Sequence, residues 1–312
     1  MGKHHADRQD AECADESGIR CEIRLYHGEK KLEFCYSMKK LPVTDPEGVY
    51  VAFPFSLARS RHVVEVSGGT MAAGREQIEG SASDWNGIQN FVSLRSDSGQ
   101  ILFSSPEIPL VQLGDINLGK FRRVGASASG NVLSEGYPAS GYIYSWVLNN
   151  YWTTNFLASQ EGELKWSYQV TSMPDPSNTL ATRFGMENRV PMLTRVFPSA
   201  VRPDSLLLPQ SFYNNIPNSL ALVSARPSRD GHGVVLQLRE TAGSPGFLVV
   251  DDLASSSTTL VMATRAKAVS EVDVLEDTTR LVWKRQETGT GEYHPSRVDF
   301  RPFETKFILV SL

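Results

Sequence analysis

Residues 21–38 read CEIRLYHGEKKLEFCYSM, and their alternation decides the fold class. Cys21, Ile23 and Leu25 alternate with polar neighbours. After His27-Gly28-Glu29, the residues Leu32, Phe34, Tyr36 and Met38 resume the same period of two. Successive side chains of a strand point to opposite faces, so this pattern predicts two half-buried strands joined by a turn. A helix would need its apolar residues three or four apart. Pro42 and Pro46 end the hairpin, and a further apolar run, Tyr50 to Phe53, meets Pro54, which limits it to an edge or a bulge.

The same texture continues outward. Short strand-like runs, Phe91–Leu94, Ile101–Phe103, Tyr142–Leu148, Leu164–Val170, Leu220–Val223 and Val234–Leu238, lie between clusters of Gly, Pro, Asn and Ser. The 17 prolines are spread along the chain and leave few segments for a long helix. Trp85, Ile88 and Val92 have a spacing that also fits a short helix after Asp84. No strand–helix alternation appears, which argues against a doubly wound sheet or a β/α barrel. The expected architecture is all-β. Residues 1–19 are polar and read as a disordered leader, residues 20–205 as a large β-sandwich, and residues 206–312 as a small one of about seven strands. The boundary is placed where Pro203, Pro209 and Pro217 bracket a polar linker.

The 312 residues are 40% hydrophobic and 21% charged, with a formal net charge of −4. That is enough apolar material for a core and no basic excess for phosphates or anionic lipid, so nucleic acid is not an expected partner. No apolar run approaches the ~20 residues of a membrane helix, and no membrane is expected. The N-terminus lacks the apolar centre of a secretory signal. That favours a cytoplasmic location, although a chain beginning mid-protein would have lost a signal. The three cysteines, Cys13, Cys21 and Cys35, have no metal-ligand spacing. Alternation puts Cys21 on the apolar side of its strand and Cys35 on the polar side of the next, so that pair is expected to stay reduced.

The segment Gly141 to Ser172 is dense in aromatics, among them Tyr142, Tyr144, Trp146, Tyr151, Trp152 and Trp166. Aromatic faces stack on sugar rings, and asparagine offers donors and acceptors to hydroxyls. Asn149, Asn150, Tyr151, Trp152 and Asn155 are therefore the candidate carbohydrate-binding or cleft-wall residues. The plainer alternative is that the aromatics are core and the asparagines hold turns. His5-Ala6-Asp7 has a metal-binding spacing but no scaffold, and His62, His232 and His294 are isolated. No nucleophile elbow, phosphate loop or dinucleotide fingerprint is present. Glu47, Glu107, Glu240 and the Asp251-Asp252 pair are carboxylates that sequence alone does not pair into a glycosidase site.

Several motifs carry a family resemblance. Pro46-Glu47-Gly48-Val49-Tyr50-Val51-Ala52-Phe53-Pro54-Phe55, then Asp84-Trp85-Asn86-Gly87-Ile88-Gln89-Asn90-Phe91-Val92 and Pro106-Glu107-Ile108-Pro109-Leu110, resemble successive segments in the β region of glycoside hydrolase family 38 α-mannosidase-like proteins. Asn149-Asn150-Tyr151-Trp152-Thr153-Thr154-Asn155-Phe156 is the most specific match, and Arg301-Pro302-Phe303-Glu304-Thr305-Lys306 resembles the closing strand. The resemblance runs from about residue 20 to the C-terminus. It implies that the large sandwich is of the galactose-mutarotase-like kind. It also implies that the chain is the C-terminal, non-catalytic part of an α-mannosidase-like enzyme, walling a cleft for a mannose-containing saccharide. The expected partner is a catalytic α/β barrel in the same or a separately encoded chain. Zinc is expected in that barrel, and no cofactor or catalytic residue in this one. The alternatives are a free-standing carbohydrate-binding module and a mutarotase-like epimerase.

Overall fold

The computed structural model describes residues 8–14, 18–78, 80–116, 123–124, 132–133, 138, 140–150, 159–193, 216–251, 259–261, 266–284 and 296–312. The chain divides into two compact units, Met1–Pro191 and Met192–Leu312. The boundary expected near residue 205 lies outside the described residues.

The strands of the first unit are β1 (Arg8–Ala14), β2 (Ile19–Tyr26), β3 (Leu32–Lys40), β4 (Gly48–Pro54), β5 (Arg61–Val66), β6 (Gly69–Ala72), β7 (Asn86–Gly87), β8 (Phe91–Ser96), β9 (Gly99–Ser104), β10 (Leu110–Leu113), β11 (Arg123–Val124), β12 (Val132–Leu133), β13 (Tyr142–Asn149) and β14 (Gly162–Met173). They form an eight-stranded sheet, β1-β2-β3-β14-β9-β8-β5-β6, a four-stranded sheet, β4-β13-β10-β7, and the pair β11-β12.

The opening hairpin is β2 and β3, in register from Ile19↔Met38 to Leu25↔Leu32. Gly28 turns it with φ 86°, a conformation that glycine adopts without a Cβ penalty. Cys21 stands opposite Tyr36 and Cys35 opposite Glu22, on the two different faces that the alternation required. Both are free thiols. One expectation is corrected. Arg8–Ala14, placed within a leader without structure, runs as β1 antiparallel to β2 from Arg8↔Tyr26 to Ala14↔Arg20. Without it β2 would be an edge with unpaired backbone groups, and a strand can cover that edge without apolar residues of its own.

The core lies between the two sheets. The four-stranded sheet contributes Phe53, Val111 and Ile143, and the eight-stranded sheet Phe103, Trp166 and Tyr168. Phe53 packs edge-on against Phe103 and Tyr168, with ring centroids 4.9 and 5.0 Å apart. The Tyr168 hydroxyl donates to Ser145 Oγ on the facing sheet at 2.9 Å, which satisfies a fully buried phenol.

The helix α1 (Asn178–Arg189) is the element the sequence reading missed. Ser177 caps it, its side chain accepting from the Leu180 N–H at 3.4 Å. Ala181 and Phe184 pack on Phe91 and Leu102 of β8 and β9. The approach is close: a Cβ on Gly185 would meet Asn90 Cβ at 2.9 Å and Phe91 Cδ1 at 3.0 Å. The stretch after Asp84, whose spacing also fits a short helix, is not helical, and Asn86–Gly87 pair with β10 instead.

The second unit contains β15 (Leu220–Pro227), β16 (Gly233–Glu240), β17 (Gly246–Asp251), β18 (Thr259–Val261), β19 (Ala268–Val272), β20 (Thr278–Lys284), β21 (Ser296–Phe300) and β22 (Thr305–Ser311). They form a five-stranded sheet, β15-β16-β22-β19-β20, and a three-stranded one, β18-β17-β21. Leu236, Leu238, Val269 and Ile308 of the first meet Leu248, Val298 and Phe300 of the second in an aliphatic core. The expected all-β architecture of two sandwiches is what the structure shows.

Candidate functional site

The asparagines at the end of β13 serve different ends. Asn150 is a clasp. Its Nδ2 donates to Val43 O at 2.9 Å and Asp45 O at 3.0 Å, and its Oδ1 accepts from the Glu47 N–H. Its own N–H donates to Glu47 O at 3.0 Å. The Val43 N–H donates in turn to Ser159 Oγ at 3.2 Å. The 43–47 loop thus holds Asn150 and Ser159, the residues flanking segment 151–158. Lys40, only 10% exposed, adds an ion pair to Glu47 at 2.6 Å. Asn150 thus holds a loop, whatever else it does. Asn149 lies opposite Gly48, and its Oδ1 is buried with no partner among the described residues. Tyr151, Trp152 and Asn155 lie outside the described residues.

The aromatics of the dense segment separate by register. Trp166 and Tyr168 belong to the core. Trp146 lies one residue from core-facing Ser145, is buried, and stacks on Tyr50 at 5.7 Å with Trp85 edge-on at 5.6 Å. Tyr142 is exposed, but its ring stands at 67° to that of Tyr144. None of these makes the open, coplanar platform on which a sugar ring would stack.

An open polar cavity of about 390 Å³ lies elsewhere, on the eight-stranded sheet. Three cross-strand rows build the face that carries it: Arg20, Ser37 and Lys165, then Glu22, Cys35 and Ser167, then Arg24, Glu33 and Gln169. This face is opposite the one bearing Tyr36 and Trp166, so it points away from the sandwich core. The first two rows and Arg24 line the cavity together with Glu107 from the loop between β9 and β10. Glu107 is held by Ser167, whose N–H donates to Oε2 at 3.0 Å and whose hydroxyl donates to the same oxygen at 3.2 Å. Its neighbour Ile108 packs on the core, and the Ile108 N–H donates to Ser105 Oγ at 3.2 Å, which fixes the loop.

Charges on this face are interleaved. Arg24 forks onto Glu22 at 2.7 and 3.0 Å and reaches Glu33 at 3.3 Å. The hydrogen bond to Glu22 is the main reason that its guanidinium is held protonated even more firmly than usual. Tyr26 donates to Glu33 at 2.8 Å. Burial first, and then the Glu33 carboxylate, push the Cys35 thiol up, so it stays protonated and is a poor nucleophile. This arrangement suits hydrogen-bonded recognition better than covalent chemistry.

The other candidates dissolve into structure. His62 is 1% exposed, and burial pushes it down to about 4 against the pull of hydrogen bonds to the Gly141 and Tyr142 backbone. His232 sits in the turn where Asp230 Oδ1 accepts from its N–H at 2.9 Å. Glu240 is wholly buried and accepts from the N–H groups of Ala242, Gly243 and Phe303 at 2.7, 2.9 and 3.0 Å. Among the described residues no group of three or more His, Cys, Asp or Glu could hold a metal ion, so no step through zinc is derived for this chain. Among them, too, no helix is long and apolar enough to cross a membrane.

No family model and no curated protein sequence matches the chain. Solved structures do. An α-mannosidase from Enterococcus faecalis V583 matches with a TM-score of 0.61 and 13% identity, over 93% of this chain and 28% of that one. A glycosyl hydrolase family 38 protein from Enterococcus faecalis matches with a TM-score of 0.60 and 12% identity, over 93% of this chain and 29% of that one. The chain therefore spans under a third of each of these two structures, and its two sandwiches have the fold of a part of them.

Proposed function

We propose that the chain is an accessory β region of an α-mannosidase-like glycoside hydrolase, backing a catalytic barrel and helping to wall a cleft for a mannose-containing saccharide. The observation that carries the reading is the fold match over 93% of this chain against 28% of the α-mannosidase chain. A region in that role would need no catalytic machinery of its own. The galactose-mutarotase-like assignment of the large sandwich, the zinc of the barrel, and the cleft-wall role of Asn149, Asn150, Tyr151, Trp152 and Asn155 belong to this proposal. The barrel would be supplied by the same protein or by a separately encoded chain. The buried positions of Trp146 and Trp166 weigh against a free-standing module that binds sugar on an aromatic platform.

The test is reconstitution. The chain is mixed with a family 38 barrel polypeptide from the source organism, and an aryl α-mannoside is assayed alongside size-exclusion chromatography. A stable complex with a gain in hydrolysis is expected. Absence of both overturns the proposal.

A further inference from the structure

We infer that the polar cavity over β2, β3 and β14 is a binding subsite for a neutral, polyhydroxylated ligand, a mono- or disaccharide. The inference rests on the glycoside-hydrolase reading for the sugar class, and on the cavity's own chemistry for the rest. The outer face of the eight-stranded sheet has two halves. Over β8 and β9 it is roofed by α1, whose Ala181 and Phe184 cover Phe91 and Leu102. Over β2, β3 and β14 the same face carries the open cavity of about 390 Å³, within the usual range of small-ligand sites. Its donors and acceptors alternate. Lys165 and Ser37 offer N–H and O–H groups, while Glu107, which accepts from the Ser167 N–H and hydroxyl, keeps lone pairs for a further donor. An anion would meet Glu22 and Glu107, and a cation would meet Arg20, Arg24 and Lys165. A sugar hydroxyl is donor and acceptor at once and satisfies both sets. Glu107 is the positioned member. It comes from a loop fixed by Ile108 in the core, and its hydrogen bonds to Ser167 set its carboxylate at the rim.

The experiment is a titration of the full chain, labelled with nitrogen-15, with α-linked mannobiose. Saturable shifts at residues 35–37, 107 and 165–167 are expected, with a Kd on the order of 1 mM. Lys165→Ala and Glu107→Gln should each weaken binding about tenfold, a change of about 1.4 kcal/mol. Arg183→Ala, on an exposed stretch of α1, should leave it unchanged. No saturable shift, shifts centred elsewhere, equal affinity in all three variants, or displacement of the sugar by inorganic sulfate each overturns the subsite. The same variants enter the reconstitution assay. A chain that restores hydrolysis but binds no mannobiose sinks the subsite alone, and one that binds mannobiose but restores nothing sinks the accessory role alone.

Discussion

In the second unit the buried polar side chains work mostly at strand ends. Glu240 closes the turn after β16 by accepting from Ala242, Gly243 and Phe303, and the Thr241 hydroxyl donates to Ser219 O at 3.0 Å. In the first unit they lie along the strands themselves. Ser93 Oγ donates to Gln100 Oε1 at 2.7 Å, Gln100 Nε2 donates to Asp175 O at 2.7 Å, and Arg95 Nη1 donates to Asn178 Oδ1 at 2.7 Å. Burial, reinforced by Arg61, pulls Arg95 down to about 10 against the charge of Asp175. The smaller sandwich therefore uses polarity to fasten loops around an aliphatic core. The larger one carries polarity across a sheet face, part of it under α1 and part of it open. A polar face between well-packed layers costs desolvation wherever it is covered, and it stays available to water or a ligand wherever it is not. The candidate subsite belongs to the larger unit for this reason.

The sharpest way to break the comparison is Glu240→Ala. Three backbone donors would lose a buried, charge-assisted acceptor, at a cost of about 4 kcal/mol, enough to unfold the second unit ahead of the first. Denaturant titration with a probe in each unit would show two separated transitions where the parent chain shows a closer pair. A loss below about 1 kcal/mol would mean that the turn finds water instead, and the strand-end role would fall. The first unit has its own test in His62. Its folded form titrates at about 4, below the ordinary 6.5, so the unfolded chain takes up the proton first as pH falls. The stability tied to neutral His62 is complete above pH 6.5 and is lost progressively down to pH 4. The difference is about 3 kcal/mol at ~1.36 kcal/mol per pH unit. Stability of the parent chain and of His62→Leu, measured from pH 7 to 4, should diverge in slope, with the variant the flatter of the two.

Much of the fold was legible because the decisive signal was local. The period of two in residues 21–38 gave β2 and β3, their shared face and the separation of Cys21 from Cys35. Two elements escaped for physical reasons that the residues do carry. The run from Phe91 to Leu94 is buried without alternation, as a strand covered on both faces must be, and that called for a second layer. The layer is α1, whose start was marked by Ser177 after Pro174 and Pro176, and whose length fits the proline-free stretch that follows. The strand β1 left no such trace, because an edge strand that pairs through its backbone needs no pattern. The site was less legible than the fold. Aromatic density pointed to residues 149–156, of which 151–156 lie outside the described residues, and burial separates the nearby Trp146 from the core rings of Trp166 and Tyr168. The cavity over β3 and β14 is built from residues that are ordinary in sequence, such as Ser37, Glu107 and Lys165. Only the register brings them together.

The smallest expected effect bears on the candidate that register did explain. Asn150→Ala removes three hydrogen bonds to the 43–47 loop while leaving the backbone N–H of residue 150 on Glu47 O. These groups are partly exposed, so water recovers some of the loss, and the expected cost is about 2 kcal/mol. Asn150→Asp is the informative companion. It keeps an acceptor for the Glu47 N–H but sets a carboxylate against the carbonyls of Val43 and Asp45, so it should be no more stable than the alanine variant. If Asn150 is a clasp, both variants should speed limited proteolysis within residues 41–47, whether or not a saccharide is present. If added mannobiose slows cleavage of the parent chain but not of the variants, Asn150 takes part in binding, and the division between a loop clasp and a separate polar cavity collapses.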